Sequence, residues 1–310
     1  ARPERPDHAV TRGQALATMV AVTLMWSIAG VVSRWLDGGA SGFEITFWRS
    51  AFNALALVGL LLVLRGPARL LATLREGGRA LWLSGLCWSV MFTAFMVALT
   101  LTSVANVLVT MALGPLFTAL LSRLALGHRL EPRTWVAIAL AGIGIAWMHG
   151  SNVQGGDARH WLGVLVALAV PVAGAINWTL LQHLKTRAAG GHATQDMLPA
   201  VLLGALISAA VMLPLAWPLQ ATPHDVGWLA LLGVVQLAVP CLLAVSAARV
   251  LSGPEISLLA LLEVIFGVAW AWLGAGESPT GAVLGGGALV LLALAGNELL
   301  ALRRARAALA

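Results

Sequence analysis

Long apolar runs separated by short polar loops fill almost the whole chain. Ten of them read at about 14–35, 43–64, 79–101, 104–125, 133–149, 161–184, 196–217, 226–249, 255–274 and 280–302. Each is close to the ~20 residues that carry a helix across the hydrocarbon of a bilayer. The runs are continuous and do not alternate every second residue, so helices are expected, not the strands of a membrane barrel. The run that starts near residue 14 is longer than the apolar core of a signal peptide and reads as a retained first span. The predicted fold is an all-α integral membrane protein of ten transmembrane helices, with short loops that make neighbours antiparallel.

Composition agrees. Of 310 residues, 59% are apolar and 10% charged, and the mean hydropathy is +0.88. Soluble domains average about 25% charged residues, and 19 basic with 13 acidic side chains cannot cover a water-facing surface of this size. Disorder, collagen and a disulfide scaffold are excluded on the same grounds. Cys87 and Cys241 sit inside apolar runs and read as small core residues without metal spacing. A net charge of +6 invites a nucleic-acid partner, but the basic residues are scattered over short loops and make no arm or face, so that partner is excluded.

The charges instead report sidedness. With the N-terminus inside, every Lys and Arg except Arg34, Arg49 and Arg159 falls on the inner side, while the outer loops hold Asp37, Glu44, Asp157, Asp225 and Glu277. That is the positive-inside bias of a multi-pass protein with both termini in the cytoplasm. Trp35, Trp48, Trp82, Trp135, Trp161, Trp217, Trp228 and Trp272 lie near helix ends, where the expected role is interfacial anchoring.

The chain also reads as one pattern written twice. Phe95–Leu99, a polar turn at Thr100–Ser103 and Leu113–Phe117 in the first half are followed in the second by Ala244–Arg249, a turn at Ser252–Pro254 and Leu262–Phe266. Ser103 and Ser252, Phe117 and Phe266, and Gly127 and Gly276 share one gap-free register. The expected modules are residues 1–150 and 151–310, five spans each. Five is odd, so the second copy enters the membrane from the opposite side, as in alternating-access transporters with a site at the repeat interface.

Trp26, Arg49, Phe95–Leu99, Leu113–Gly114–Pro115, Leu262–Glu263 and Gly276–Glu277 make the chain resemble the EamA type of the drug/metabolite transporter superfamily, over nearly its whole length. Within that group it is similar to the YddG-like bacterial exporters of aromatic and other amino acids. Three features depart from the family pattern: Glu263–Val264 replaces a Glu–Pro pair, Gly127–His128 replaces a Gly–Glu pair, and nothing in the seventh span matches Arg49. The resemblance implies a bacterial cytoplasmic (inner) membrane and outward transport of small molecules.

Several residues can carry that work. Glu263, some eight residues into its span, is either a group for a substrate ammonium or proton, or a buried packing residue. Arg49 is expected at the outer gate, snorkelling or tied to Glu44 or Asp37, with a carboxylate clamp as the alternative. Pro115, Pro171 and Pro240 each remove a backbone hydrogen bond inside a span and are candidate hinges or cavity-lining breaks. Ser27, Asn106, Asn177 and Gln236 either bind polar ends of a substrate or cross-link helices. Trp26, Trp88 and Trp178 either stack on a substrate side group or fill the core. Ala137 and Ala141, Gly142 and Ala146, and Gly281 and Gly285 have the four-residue spacing of close helix packing, with a homodimer as the weaker alternative.

Enzymatic readings find little support. No phosphate-binding Gly-x-x-x-x-Gly-Lys loop and no His-Glu-x-x-His occurs. Gly39–Ala40–Ser41–Gly42 has a serine-protease form but falls in a loop with no histidine near it, and Gly155–Gly156–Asp157 is likewise a loop. None of the seven histidines pairs at metal-ligand spacing. The expectation is a carrier without cofactor or metal that exports neutral amino acids or similar small metabolites through rocking gates. A broad drug or cation exporter, with Glu263 holding the cation, is the alternative.

Overall fold

A computed structural model describes residues 11–126, 132–150, 158–191, 195–251 and 253–307. Arg2, Arg5, His8, Gly127, His128, Arg129, the Gly155–Gly156–Asp157 loop, His192 and Ser252 lie outside the described residues. All regular structure within them is helical: α1 (Arg12–Ser33), α2 (Gly42–Arg65), α3 (Pro67–Glu76), α4 (Gly78–Leu101), α5 (Val104–Met111), α6 (Gly114–Leu126), α7 (Pro132–Gly150), α8 (Ala158–Ala189), α9 (Leu198–Ala216), α10 (Pro223–Leu231), a π-helical stretch (Leu232–Ala238), α11 (Val239–Ala247), α12 (Gly253–Ala275) and α13 (Gly281–Ala307). Each of the ten apolar runs falls on these helices. Among the described residues six continuous helical stretches are long and apolar enough to cross a membrane, and four shorter apolar ones accompany them: Val104–Thr118, Trp135–Gly144, Leu259–Ala275 and Gly281–Asn297.

Helix starts follow ordinary capping chemistry. Thr11 accepts from the backbone of Gln14, whose side chain returns to the Thr11 N–H. Ser41 and Ser103 cap α2 and α5 by accepting from the Glu44 and Asn106 backbones, and Thr222 and Asp225 form a reciprocal box at α10. Ser41 therefore serves as a helix cap, consistent with a plain turn at Gly39–Gly42.

Three local features depart from ten simple rods. The fourth run is two helices, broken at Ala112 and Leu113 just before Gly114–Pro115. Pro115 sits at the second position of α6, where a missing N–H costs nothing. The eighth run widens into the π-helical stretch directly before Pro240. Pro171, by contrast, lies inside an unbroken α8. The polar connection after α2 also contains a helix the hydropathy pattern does not show: α3 opens on Pro67 and buries Leu70 while Arg69 and Arg75 stay exposed.

Packing joins the two halves intimately. The principal pairs are α1 with α12, α2 with α9, α4 with both α8 and α9, and α7 with α13. Small residues permit the closest of these. A Cβ on Gly204 would stand 2.4 Å from that of Trp88, and one on Gly144 would stand 2.7 Å from the Gly286 carbonyl. The α7–α13 contact uses Ala137 and Ala141, both buried, and Gly285, which Trp147 covers. Gly142 and Gly281 of the expected small-residue pairs face open space instead.

Buried apolar side chains gather in two cores stacked along the helix axes. One holds Met19, Leu57, Leu81, Val201 and Ile256; the other holds Val32, Leu99, Val107, Leu232 and Val290. The outer surface is apolar too, with Leu55, Val63, Leu165, Leu273 and Leu292 at 65% exposure or more. Such a surface suits lipid and not water. Trp35, Trp82, Trp135, Trp161, Trp217 and Trp272 are exposed near helix ends, as anchors should be.

Candidate functional site

Between the two cores lies a cavity with about 920 Å³ of empty space, counting any part open to solvent. Its walls come from α1, α2, α4, α5, α6, α8, the π-helical stretch, α11 and α12, and so from both halves of the chain. Arg49 reaches it from α2 and Glu263 from α12, with Gln236 from the π-helical stretch. Trp26, Trp88 and Trp178 add the aromatic surface.

Arg49 is the largest wholly buried side chain among the described residues. Its Nη2 donates to the Phe92 carbonyl at 2.9 Å and its Nη1 to Gln236 Oε1 at 3.4 Å. Its Nε has no partner, and the guanidinium carbon stands 5.6 Å from the centre of the Phe95 ring, a cation–π distance. The expectation of an outer-gate or snorkelling arginine is thus overturned. Glu44 is engaged elsewhere, accepting from the Gln220 and Ala221 backbones and from Trp48 Nε1. Asp37 is bound to Thr222. Position along the span alone does not say which face of α2 Arg49 occupies.

Glu263 is 7% exposed and, among the described residues, forms no ion pair or hydrogen bond. Gln236 is fixed from both ends, accepting from Arg49 and donating to the Trp26 carbonyl at 3.1 Å. The π-helical widening places it there, because one extra residue in the turn rotates a side chain that regular winding would aim elsewhere. The aromatic wall is ordered as well. Trp88 packs edge-on to Trp178 at 5.8 Å and tilted against Phe92 at 5.5 Å, and its indole N–H has no partner.

Eight of the twelve residues singled out from sequence meet at this cavity: Trp26, Arg49, Trp88, Pro115, Pro171, Trp178, Gln236 and Glu263. Four do not. Ser27 turns its hydroxyl back to the Leu24 carbonyl within α1, the local bond that serine favours in helices. Asn177 is buried and accepts from Ser84 at 2.6 Å, tying α8 to α4. Pro240 sits beside the cavity without lining it. Asn106 belongs to a second, more polar pocket at the α4–α5 junction. Sequence reasoning missed Cys241, which is buried yet lines the cavity, and Met91, Phe92, Phe95 and Leu108, which hydropathy cannot tell from core. It also missed a hydroxyl chain behind Arg49, in which Ser208 meets both Ser50 and Thr93 at 2.8 Å.

One cluster offers metal-ligand atoms. Asp37, His224 and Asp225 bring theirs within 4.8 Å of one another. However, the Trp228 indole N–H donates to His224 Nε2 at 3.0 Å, which leaves the proton of a neutral ring on Nδ1, facing the two acids. The cluster therefore serves as a hydrogen-bonded clasp between the loop before α2 and the first turn of α10.

A helical membrane protein with a charged and aromatic hollow shared between two halves is built as a carrier of small molecules. The model of the EamA-like transporter family matches it twice, over residues 13–149 and 161–297, and the chain belongs to that family. It is a multi-pass membrane transporter. It is 26% identical over 287 residues to the pseudopaline exporter CntI of Pseudomonas aeruginosa strain UCBPP-PA14, covering 91% of this chain and 94% of the relative. The same figures hold for that exporter in P. aeruginosa PAO1. A protein of known crystal structure superposes with a TM-score of 0.62 at 17% identity, over 92% of this chain and 98% of the other, a likeness of fold.

Proposed function

We propose that the chain is a secondary carrier that moves zwitterionic amino acids, aromatic and other neutral ones, or similar amphipathic metabolites out of the cell by alternating access. The observation that carries this reading is the pairing of opposite charges on one apolar hollow. Arg49 holds a buried guanidinium whose Nε has no hydrogen-bond partner among the described residues, suited to a carboxylate, and Glu263 presents a carboxylate with no hydrogen bond or ion pair among the described residues, suited to an ammonium. Trp26, Trp88 and Trp178 provide the surface for an apolar or aromatic side group.

In this reading the ten apolar runs are ten spans, and the modules 1–150 and 151–310 are threaded in opposite directions. The twofold match of the family model supports the duplication, and the odd number of spans per module supplies the inversion. The bias of the basic residues supports both termini in the cytoplasm and a bacterial inner membrane. The name of the CntI relatives supports the outward direction.

Purified protein in liposomes is expected to move labelled phenylalanine or methionine, and inertness toward a broad amino-acid panel overturns the substrate. Glu263, whose carboxylate has no hydrogen bond among the described residues, favours one rival, a drug or cation exporter. There, Glu263→Gln abolishes efflux of a lipophilic cation; in the amino-acid carrier it only weakens transport of zwitterions that Arg49 still holds.

A further inference from the structure

The second pocket lies along the same two helices as the central cavity. On α5 the cavity takes Leu108 and Met111, with Ala112 just beyond it, and the pocket takes Ala105 and Asn106. On α12 the cavity takes Glu263 and Val264 and the pocket takes Val268 and Ala271. Between them Leu108 fills the space left by the absent side chain of Gly267, where a Cβ would stand 2.4 Å from Leu108 Cδ1. The pocket has about 740 Å³ of empty space on the same measure, and its walls are rich in acceptors.

Those acceptors are held in a fixed order. Asn106 donates through Nδ2 to Thr102 Oγ1 at 3.1 Å, and Thr102 Oγ1 lies 2.9 Å from His160 Nδ1. Thr102 thus accepts from the amide, and its own O–H is left to donate to the ring. This arrangement leaves Asn106 Oδ1 with no donor although the residue is 5% exposed. Glu277 is anchored on the opposite wall by Arg34 Nε at 2.9 Å and the Val104 N–H at 3.0 Å. A buried acceptor without a donor is costly, and it suits a ligand that brings N–H groups. From Glu263 to the end of α12 at Ala275 is about 18 Å at 1.5 Å per residue, and Glu277 follows two residues beyond that end, in the pocket it shares with Asn106.

We propose that this pocket is a second substrate site, where Asn106 Oδ1 and Glu277 receive the ammonium group of a molecule that has passed Leu108 from the central cavity. The inference rests on the amino-acid reading above and adds a staging site to it. A guest that leads with its ammonium leaves Glu263 for the acceptors of the outer pocket, with Leu108 packed on Gly267 between the two sites.

Equilibrium binding of labelled phenylalanine to the purified full chain tests it. The wild type is expected to saturate at two sites per chain, and Asn106→Leu and Arg49→Gln at one each. Asn106→Asp keeps the shape and strengthens the acceptor, so it tightens the outer site by about tenfold; this readout stands even if the leucine variant misfolds. A single site that is lost with Arg49→Gln and indifferent to residue 106 overturns the staging site and leaves the central reading intact. A single site lost with Asn106→Leu and indifferent to Arg49→Gln supports the outer site and overturns the central assignment. Absence of binding overturns both.

Discussion

Arg49 owes its place to two unlike partners, a main-chain carbonyl on α4 and an amide on the π-helical stretch. A planar fork of donors can reach both; a lysine ammonium on a flexible stem cannot do so and face the cavity as well. Arg49→Lys is therefore expected to lower phenylalanine uptake into liposomes by about tenfold or more, although the charge is kept. Asn177 is the contrasting case. Its amide links α8 to Ser84 away from the cavity, and such links between membrane helices are worth about 0.6–2 kcal/mol. Asn177→Leu should lower thermal stability in detergent by that order while transport per folded molecule is kept. The sequence showed both residues as polar groups deep in spans and could not separate them. Which face of a helix meets the hollow depends on rotation about the axis, and a helix buried nearly all round carries no amphipathic signal of it. That Cys241 and Phe95 face the hollow was hidden for the same reason.

At the scale of elements, the crossings set how precisely the cavity walls meet. A Cβ at Gly204 on α9 would collide with Trp88 Cβ at 2.4 Å and press on the Gly85 carbonyl and Ser89 N–H at 3.0 Å. None of these is the free end of a side chain, so α4 and α9 must separate. Overpacking of this kind costs about 1–3 kcal/mol, and it moves Trp88, which lines the cavity. Gly204→Ala should thus lower both the melting temperature and transport, whereas Gly59→Ala, with nothing within 4 Å, should leave transport unchanged and gain a little stability from helix propensity. Helix existence was legible in the pattern because each run had to bury about 20 residues or expose them to lipid. The break at Ala112 was half-legible through Gly114–Pro115. The widening at Leu232–Ala238 was not, since only Pro240 hints that the backbone bonds there need another partner, and α3 hid in a charged stretch too short to register in hydropathy.

For the whole molecule, alternating access needs a closure at each end that can be released separately, and the structure shows a clasp at both. At one end the Glu44 carboxylate, 1% exposed, takes the Gln220 and Ala221 N–H groups at 2.8 Å each, while Asp37 bonds Thr222 and Asp225 accepts the Asp37 N–H. At the other end Asp196 binds Arg65 at 2.8 Å and Arg249 at 3.3 Å, and Arg12 pairs with Glu255. Each clasp joins the first half of the chain to the second, so each opposes separation of the halves on its own side. Glu44→Gln turns one acceptor oxygen into a donor facing donors and weakens only the first clasp; Asp196→Asn removes the charge both arginines share and weakens only the second. Cys241 on the cavity wall is a native reporter at 1% exposure. In a Cys87→Ala background, a membrane-impermeant maleimide should label Cys241 faster in Glu44→Gln when applied from the Glu44 side, and faster in Asp196→Asn when applied from the Asp196 side, with each variant slowed or unchanged from the other side. Equal acceleration from both sides in either variant would mean that the clasps stabilise the fold at large, and the two ends would then not act as independent gates.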